Sequence, residues 1–334
     1  MPKSSSKPYT LYDLTKPLSS TYVKRAEKEL GEKSEQIAAH IESFRRWLKS
    51  MPHLKCNASD DLLLAFLRQA KYNHLKAQNR FDNFCTFRTS PTEGCPSWYE
   101  NFKIRKGIYD KWIETKCLAM LGFTEGGSVT IMMKCKNLDT NVLPLADLQS
   151  IAQIWYDEAI LDHRIQISGF SMIMDLSDVR KENIIKMFDP KANRLATKYF
   201  QDCLPFRVKK FIYYNAPKIF EAMFKVVSEW LNEKIKSRVM MVGTDMNQAF
   251  DALPGLKDLM PESYGGSVKM TFEEICEKQL ELLKFIPDHG RTWAISVDES
   301  KRPKESRNLF VNYRDLSDDL MGKSGTYVKL NDDI

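Results

Sequence analysis

Histidine, cysteine, serine and carboxylate side chains carry most protein chemistry, and their spacing here supports little of it. His40, His53, His74, His163 and His289 are widely separated and form no H-x-x-x-H or H-E-x-x-H array for a metal. The seven cysteines, Cys56, Cys85, Cys95, Cys117, Cys135, Cys203 and Cys276, contain no C-x-x-C pair and read as reduced thiols of an intracellular protein. Neither G-x-G-x-x-G nor G-x-x-x-x-G-K-[ST] occurs, and Gly122 to Ser128 precedes a strand instead of joining a strand to a helix. Gly169-Phe170-Ser171-Met172-Ile173 opens like a nucleophile elbow but lacks its closing glycine, so Ser171 reads as a buried strand serine. Asp175 ends that strand, where α/β enzymes keep catalytic acids, but without a partner of defined spacing it reads as a capping or loop residue. No catalytic residue, metal ligand or cofactor site is assigned, and an enzyme is not expected.

The informative residues are apolar and basic. Asn215-Ala216-Pro217 is a helix-start signal, with Asn as cap and Pro in the first turn. Behind it Phe220, Met223, Phe224 and Val227 fall at i, i+3, i+4 and i+7, and Leu231 extends the stripe. Two readings fit: a helix packed permanently on a sheet, or a movable cover whose Phe and Met side chains close a ligand cavity. Phe170, Met172 and Met174 alternate onto one face of a strand, and Tyr199 and Phe200 follow on a helix; they either fill a core or line a cavity. Lys234 and Arg238, four apart, share a face at the end of the cover helix, and Arg207 and Lys209 project to one side of a strand. They are either solvated charge or a cationic groove for phosphates at the edge of the cover.

The elements that must position these residues follow from pattern. At 334 residues the chain suggests about two folding units. Its 43% hydrophobic and 28% charged residues argue for a folded protein. No run approaches the roughly 18 apolar residues of a membrane span, and no apolar stretch follows Met1 to Ser6, so neither secretion nor membrane spanning is expected. A net charge of +6 is too small and dispersed to mark a nucleic-acid binder. Helical spacing runs from Ser19 to Ser50, then from a Ser59-Asp60-Asp61 cap through Leu67, then from Leu75 to Thr89. Beyond residue 122, strands over Ser128–Lys134, Gly169–Leu176, Arg207–Asn215 and Ser237–Gly243 alternate with helices, among them Pro144–Leu161 and Pro217–Lys236. That alternation predicts an α/β unit with a largely parallel sheet. The expected organisation is a flexible N-terminus (1–18), a helical domain (19–115), an α/β domain (116–286) and a polar C-terminal tail (287–334) that is weakly ordered or wraps over the surface.

At these residues the chain resembles the CRAL-TRIO family of Sec14-like lipid-binding proteins, and most closely the branch of α-tocopherol transfer protein and cellular retinaldehyde-binding protein. The resemblance spans about residues 30 to 285 and is carried by Leu62–Tyr72 (LLLAFLRQAKY), Leu204–Pro217 (LPFRVKKFIYYNAP), Leu231–Arg238 (LNEKIKSR) and Met260–Gly266 (MPESYGG) in that order. It implies an N-terminal helical domain and a lipid-binding α/β domain gated by the helix over Pro217–Lys236. It puts Phe170, Met174, Tyr199, Phe200, Val208 and Phe211 near the ligand, with Phe220, Met223, Phe224 and Val227 on the gate's inner face, and Met172 joins the ligand set by its alternation with Phe170 and Met174. It also implies that Arg207, Lys209, Lys234 and Arg238 bind phosphoinositide headgroups. The chain departs from the family pattern at Ala70, where a basic residue is usual and Lys71 or Arg68 could substitute, at Asp178-Val179, and at Ser263. The expectation is a non-catalytic, cytoplasmic carrier of a hydrophobic lipid or isoprenoid-like molecule such as a retinoid or tocopherol, transiently at phosphoinositide-containing membranes, without cofactor or nucleic acid. A lipid-sensing adaptor that recruits a protein is the alternative. Cargo identity and oligomeric state stay open.

Overall fold

The computed structural model describes residues 6–89, 102–284 and 293–304. The helical part begins after β1 (Lys7–Pro8) with α1 (Ser20–Leu30) and α2 (Ile37–Ser50). A single helix over Ser19–Ser50 is therefore corrected to two: Gly31, at φ 70°, takes the left-handed conformation that closes α1. After β2 (Leu54–Lys55), Ser59 accepts a hydrogen bond from the Leu62 amide and starts α3 (Asp60–Gln69), and α4 (His74–Thr89) follows. Phe44, Phe66, Phe81 and Phe84 meet edge to face in their shared core.

After α5 (Phe102–Glu114), the sheet is built from β3 (Leu118–Phe123), β4 (Val129–Lys134), β5 (Phe170–Asp175), β6 (Val208–Tyr214) and β7 (Val239–Val242). Its order is β1-β3-β4-β5-β6-β7; β1, β3 and β4 pair antiparallel, and β4 to β7 are parallel. This is the α/β fold with a mostly parallel sheet that the sequence predicts. The crossovers are α6 (Leu145–Leu161) with α7 (His163–Ser168), then α8 (Lys181–Lys186) with α9 (Pro190–Lys198), then α10 (Lys218–Ser228) with α11 (Glu233–Lys236). Parallel strands placed in sequence order and joined by crossovers of one hand put all these excursions on one face. The other face packs on α12 (Asn247–Ala252) and α13 (Phe272–Lys284) through Met132, Ile173, Ile212 and Phe272. Strand β3 escapes the sequence pattern because it is buried along its whole length and shows no alternation.

Both chain ends fold back on this body. Tyr9 stacks on Phe123 at 5.8 Å beside the β1–β3 pairing, inside the segment expected to be flexible, whose first five residues lie outside the described ones. Trp293 is buried against Phe84, and β8 (Ser296–Val297) pairs with β2, so this part of the expected tail completes the helical domain. Arg302 reaches Asp82 at 2.7 Å and holds the tail segment there. The acidic Asp318-Asp319 patch and Cys95 lie outside the described residues.

A buried polar cluster joins the helical part to the sheet domain. Arg68 donates to both oxygens of Glu32, at 2.6 and 2.8 Å, and to Gln166 on α7 at 2.7 Å. Burial alone would push Glu32 up, but the Arg68 guanidinium and the Tyr72 hydroxyl hold its carboxyl below the usual value. Replacing one partner strands a charge. Arg68→Leu is expected to lower unfolding free energy by about 3 kcal/mol or more, read from the urea midpoint, and Arg68→Leu with Glu32→Leu to recover much of it.

Candidate functional site

The face that receives the crossovers is not filled. A cavity of about 430 Å³ lies between the sheet and α6, α9 and α10. Its floor is built by alternation: Ile131 and Met133 from β4, Phe170, Met172 and Met174 from β5, Phe211 and Tyr213 from β6. Its walls include Trp112, Trp155, Phe200 and Phe206, and Phe224, Val227 and Leu231 close it from the α10 side. Among the described residues, none that is charged lines it. Burial pushes the Tyr156 hydroxyl up to about 12 and raises Tyr213 and the Cys135 thiol further, so these polar wall groups stay neutral at physiological pH.

Four residues assigned to the ligand by resemblance lie outside this lining. Tyr199 is fully buried and stacks on Phe87 of α4 at 4.0 Å, in the seam with the helical domain. Phe220 packs on Tyr213 at 5.0 Å and Phe224 at 6.1 Å, one turn beyond the cavity, and Met223 is half-buried on the same helix. Val208 is buried beside the cavity and lines the neighbouring cleft. Its pairing with Phe170, while Lys210 pairs with Ser171, makes Lys209 one residue too many on β6. This bulge lets Val208 share the cavity-side cluster with Phe211, although the two are an odd three positions apart.

Helix α10 has the composition of a core helix but none of its residues is buried. Its apolar side faces the hollow, and Val226 is 48% exposed on its outside. The helix expected over Pro217–Lys236 is corrected to two pieces, because Asn232 caps α11 by accepting from the Ile235 amide at 2.9 Å. Gln201 clamps the break, accepting from the Asn232 amide at 2.7 Å and donating to the Trp230 carbonyl at 2.9 Å. Gln201 belongs to a π-turn, Tyr199–Cys203, a local widening common at functional sites. The start signal is shifted too: Pro217 takes the cap position and Asn215, at φ 50°, bonds Ser177. Lys234 and Arg238 consequently sit beyond the break, on α11 and just before β7.

Arg207, Lys209, Lys234 and Arg238 line one cleft of about 640 Å³ between the two parts of the chain. Lys71, Lys76 and Arg80 of the helical part face them, and Asp202 is the one acidic residue among the described lining residues. Lys71 thus occupies the cleft beside Ala70, whereas Arg68 is committed to Glu32. Phe200, Phe206 and Ile235 line both cleft and cavity and form the partition between them. Ser171 is buried within β5, and Asp175 accepts from the Tyr264 hydroxyl and the Ser177 amide, both structural roles. Asp178, at φ 57°, adopts the conformation that favours glycine.

Residues 113–266 match the CRAL/TRIO domain, and residues 33–106 match the Pinta-like UBA domain. The α/β part of the chain is a CRAL/TRIO domain. An α-tocopherol transfer protein-like protein of Mus musculus is 26% identical over 255 residues, covering 75% of this chain and 71% of its own. Clavesin-2 of Homo sapiens is 23% identical over 251 residues, covering 75% of each chain. The solved structure of Sfh5 aligns with 92% of this chain and 99% of its own at 11% identity and a TM-score of 0.43. CRAL-TRIO proteins bind and transfer lipids, and no helix among the described residues is long and apolar enough to cross a membrane.

Burial and the surrounding cations lower the pKa values of Lys209 and Lys234 in the cleft. For Lys209 burial acts first, Glu29 opposes it and Arg207 adds to it; for Lys234 burial is followed by Arg238, Arg207, Arg80 and Lys71. A lysine is charged below its pKa, so anion binding should be full at neutral pH and begin to fall below the ordinary lysine value of 10.5. Calorimetric titration with inositol hexakisphosphate should show this decline, and Lys209→Arg with Lys234→Arg should move it to higher pH.

Proposed function

We propose that this chain is a carrier that encloses one uncharged hydrophobic lipid, of retinoid, tocopherol or similar isoprenoid-like character, and exchanges it at phosphoinositide-containing membranes. The observation that carries this reading is an uncharged apolar cavity adjoining a cationic cleft across a partition of three side chains, Phe200, Phe206 and Ile235. A cargo losing about 300 Å² of apolar surface gains roughly 7.5 kcal/mol at about 25 cal/mol per Å², equivalent to low-micromolar binding. The protein's own residues supply this burial, and no covalent step is involved.

Exchange requires the α10 cover to leave the cavity. Because no residue of α10 is buried, lifting it breaks few core contacts, and a membrane interface can accept its apolar side. Phosphoinositide headgroups engage Arg207, Lys209, Lys234 and Arg238, which holds the cover against the bilayer. The link between headgroup and cover runs through the Asn232 break and its Gln201 clamp, since Lys234 and Arg238 stand beyond the cover itself.

The Pinta-like UBA match over residues 33–106 favours a second reading, in which the loaded protein recruits a partner through its helical domain. Net vesicle-to-vesicle transfer marks the carrier, and cargo-dependent recruitment without net transfer marks the adaptor. For the carrier, Lys234→Glu with Arg238→Glu should slow transfer of a fluorescent retinoid or tocopherol analogue to phosphoinositide vesicles by at least about tenfold while leaving its retention unchanged. Equal transfer rates would separate the cleft from exchange.

A further inference from the structure

Two of the cleft's cations are already engaged by the chain itself. Glu29, in the last turn of α1, accepts from Arg207 at 3.3 Å and from Lys209 at 3.5 Å. Charge-assisted hydrogen bonds close at about 2.7 to 2.9 Å. The Arg68–Glu32 and Arg88–Asp157 pairs reach 2.6 and 2.7 Å elsewhere in the molecule. The Glu29 contacts are loose by comparison. They also leave the cleft's donors underused: Arg207 Nε is buried without a partner, and Lys71, Lys76, Lys234 and Arg238 have no carboxylate partner among the described residues.

Helix α1 itself gains nothing from a carboxylate at this position. A negative charge in the last helical turn opposes the helix dipole, so the value of Glu29 lies in its contacts with the cleft. The helix is lightly attached. Ala26 and Leu30 pack on Ile167 in a small cluster, the Tyr22 hydroxyl donates to the Gly127 carbonyl at 2.9 Å, and Arg25 donates to the Glu125 carbonyl at 3.3 Å. Residues 20–30 lie outside both matched domains.

We propose that Glu29 is a built-in stand-in for phosphate: α1 holds its carboxylate against Arg207 and Lys209 in the unbound protein, and an incoming phosphate group displaces it and releases α1. The proposal rests on the anion-cleft reading and adds a latch to it. A phosphate offers more acceptor oxygens than the single carboxylate oxygen now shared by Arg207 and Lys209, and can reach Arg207 Nε, Lys234 and Arg238 as well. Displacement therefore exchanges two loose ion pairs for a fuller set, and the latch sets the threshold for anion engagement.

The test compares the full chain with Glu29→Gln, and with Glu27→Gln as the same charge change one residue pair away. Two probes separate the source of the phosphate: phosphatidylcholine vesicles containing phosphatidylinositol 4,5-bisphosphate, and soluble inositol hexakisphosphate. Glu29→Gln is expected to bind roughly three- to tenfold more tightly, the worth of two partly exposed ion pairs, and Glu27→Gln to bind as the parent does. A gain in both arms assigns the latch to phosphate in general, and a gain with vesicles alone assigns it to lipid headgroups. Amide exchange over residues 20–30 of the parent should rise on binding. Parent binding without a gain for Glu29→Gln, an equal gain for Glu27→Gln, or slower exchange in α1 overturns the latch and leaves the cleft standing. Absence of binding by every chain in both arms overturns the cleft reading together with the latch.

Discussion

Parallel strands laid down in sequence order leave their crossovers no choice of side. From β4 to β7 each return passes over the same face, so three successive helical excursions must share it, while α12 and α13 serve the other. Short excursions such as α8, α9 and α11 cannot tile that face as one long helix would. The volume left between the sheet and α6, α9 and α10 is the cavity. Its apolar character follows from strand alternation, which sends Met172, Met174, Phe211 and Tyr213 to that face and Ile173, Ile212 and Tyr214 to the packed one.

Polar groups in the interior serve the frame and not the chemistry. Arg68, Glu32, Tyr72 and Gln166 lock the helical domain to α7, with the Gln166 amide donating onward to the Asp61 and Ile160 carbonyls. Tyr264, presented by the Pro261–Gly266 turn, secures Asp175 at the end of β5. That turn admits no side chain at Gly266, where a Cβ would fall 2.0 Å from the Met260 carbonyl oxygen. With both ends of the sheet domain fixed, the helices α9, α10 and α11, none of which has a buried residue, border the cavity or the cleft. Compliance is thereby confined to the elements that border the two candidate binding volumes.

Much of the sheet was legible in the sequence because amphipathic strands announce themselves by alternation, as β4, β5 and β6 do. β3 did not, being buried on both sides, and β8 and its Trp293 anchor were hidden in a polar tail whose partners lie more than 200 residues earlier. The apolar stripe of the cover was visible at helical spacing, but its interruption depended on Asn232 and on Gln201, a distant residue that no local pattern links to it. Lys71, Lys76 and Arg80 were unreadable as cleft residues for the same reason: their relation to Arg207 exists only once the helical domain has docked.

By itself the sequence determined the α/β class, the hydrophobic character of the sheet's crossover face and the presence of basic residues flanking the cover, since periodicity and residue type are local properties. Only the tertiary structure decided whether that face was filled or hollow, because the difference lies in how completely separate helices meet. It also decided that the bulge at Lys209 turns Val208 toward the cavity side and that Glu29 meets Arg207 and Lys209 across 180 residues of chain. Such contacts are fixed by packing, which no spacing rule along the chain can express.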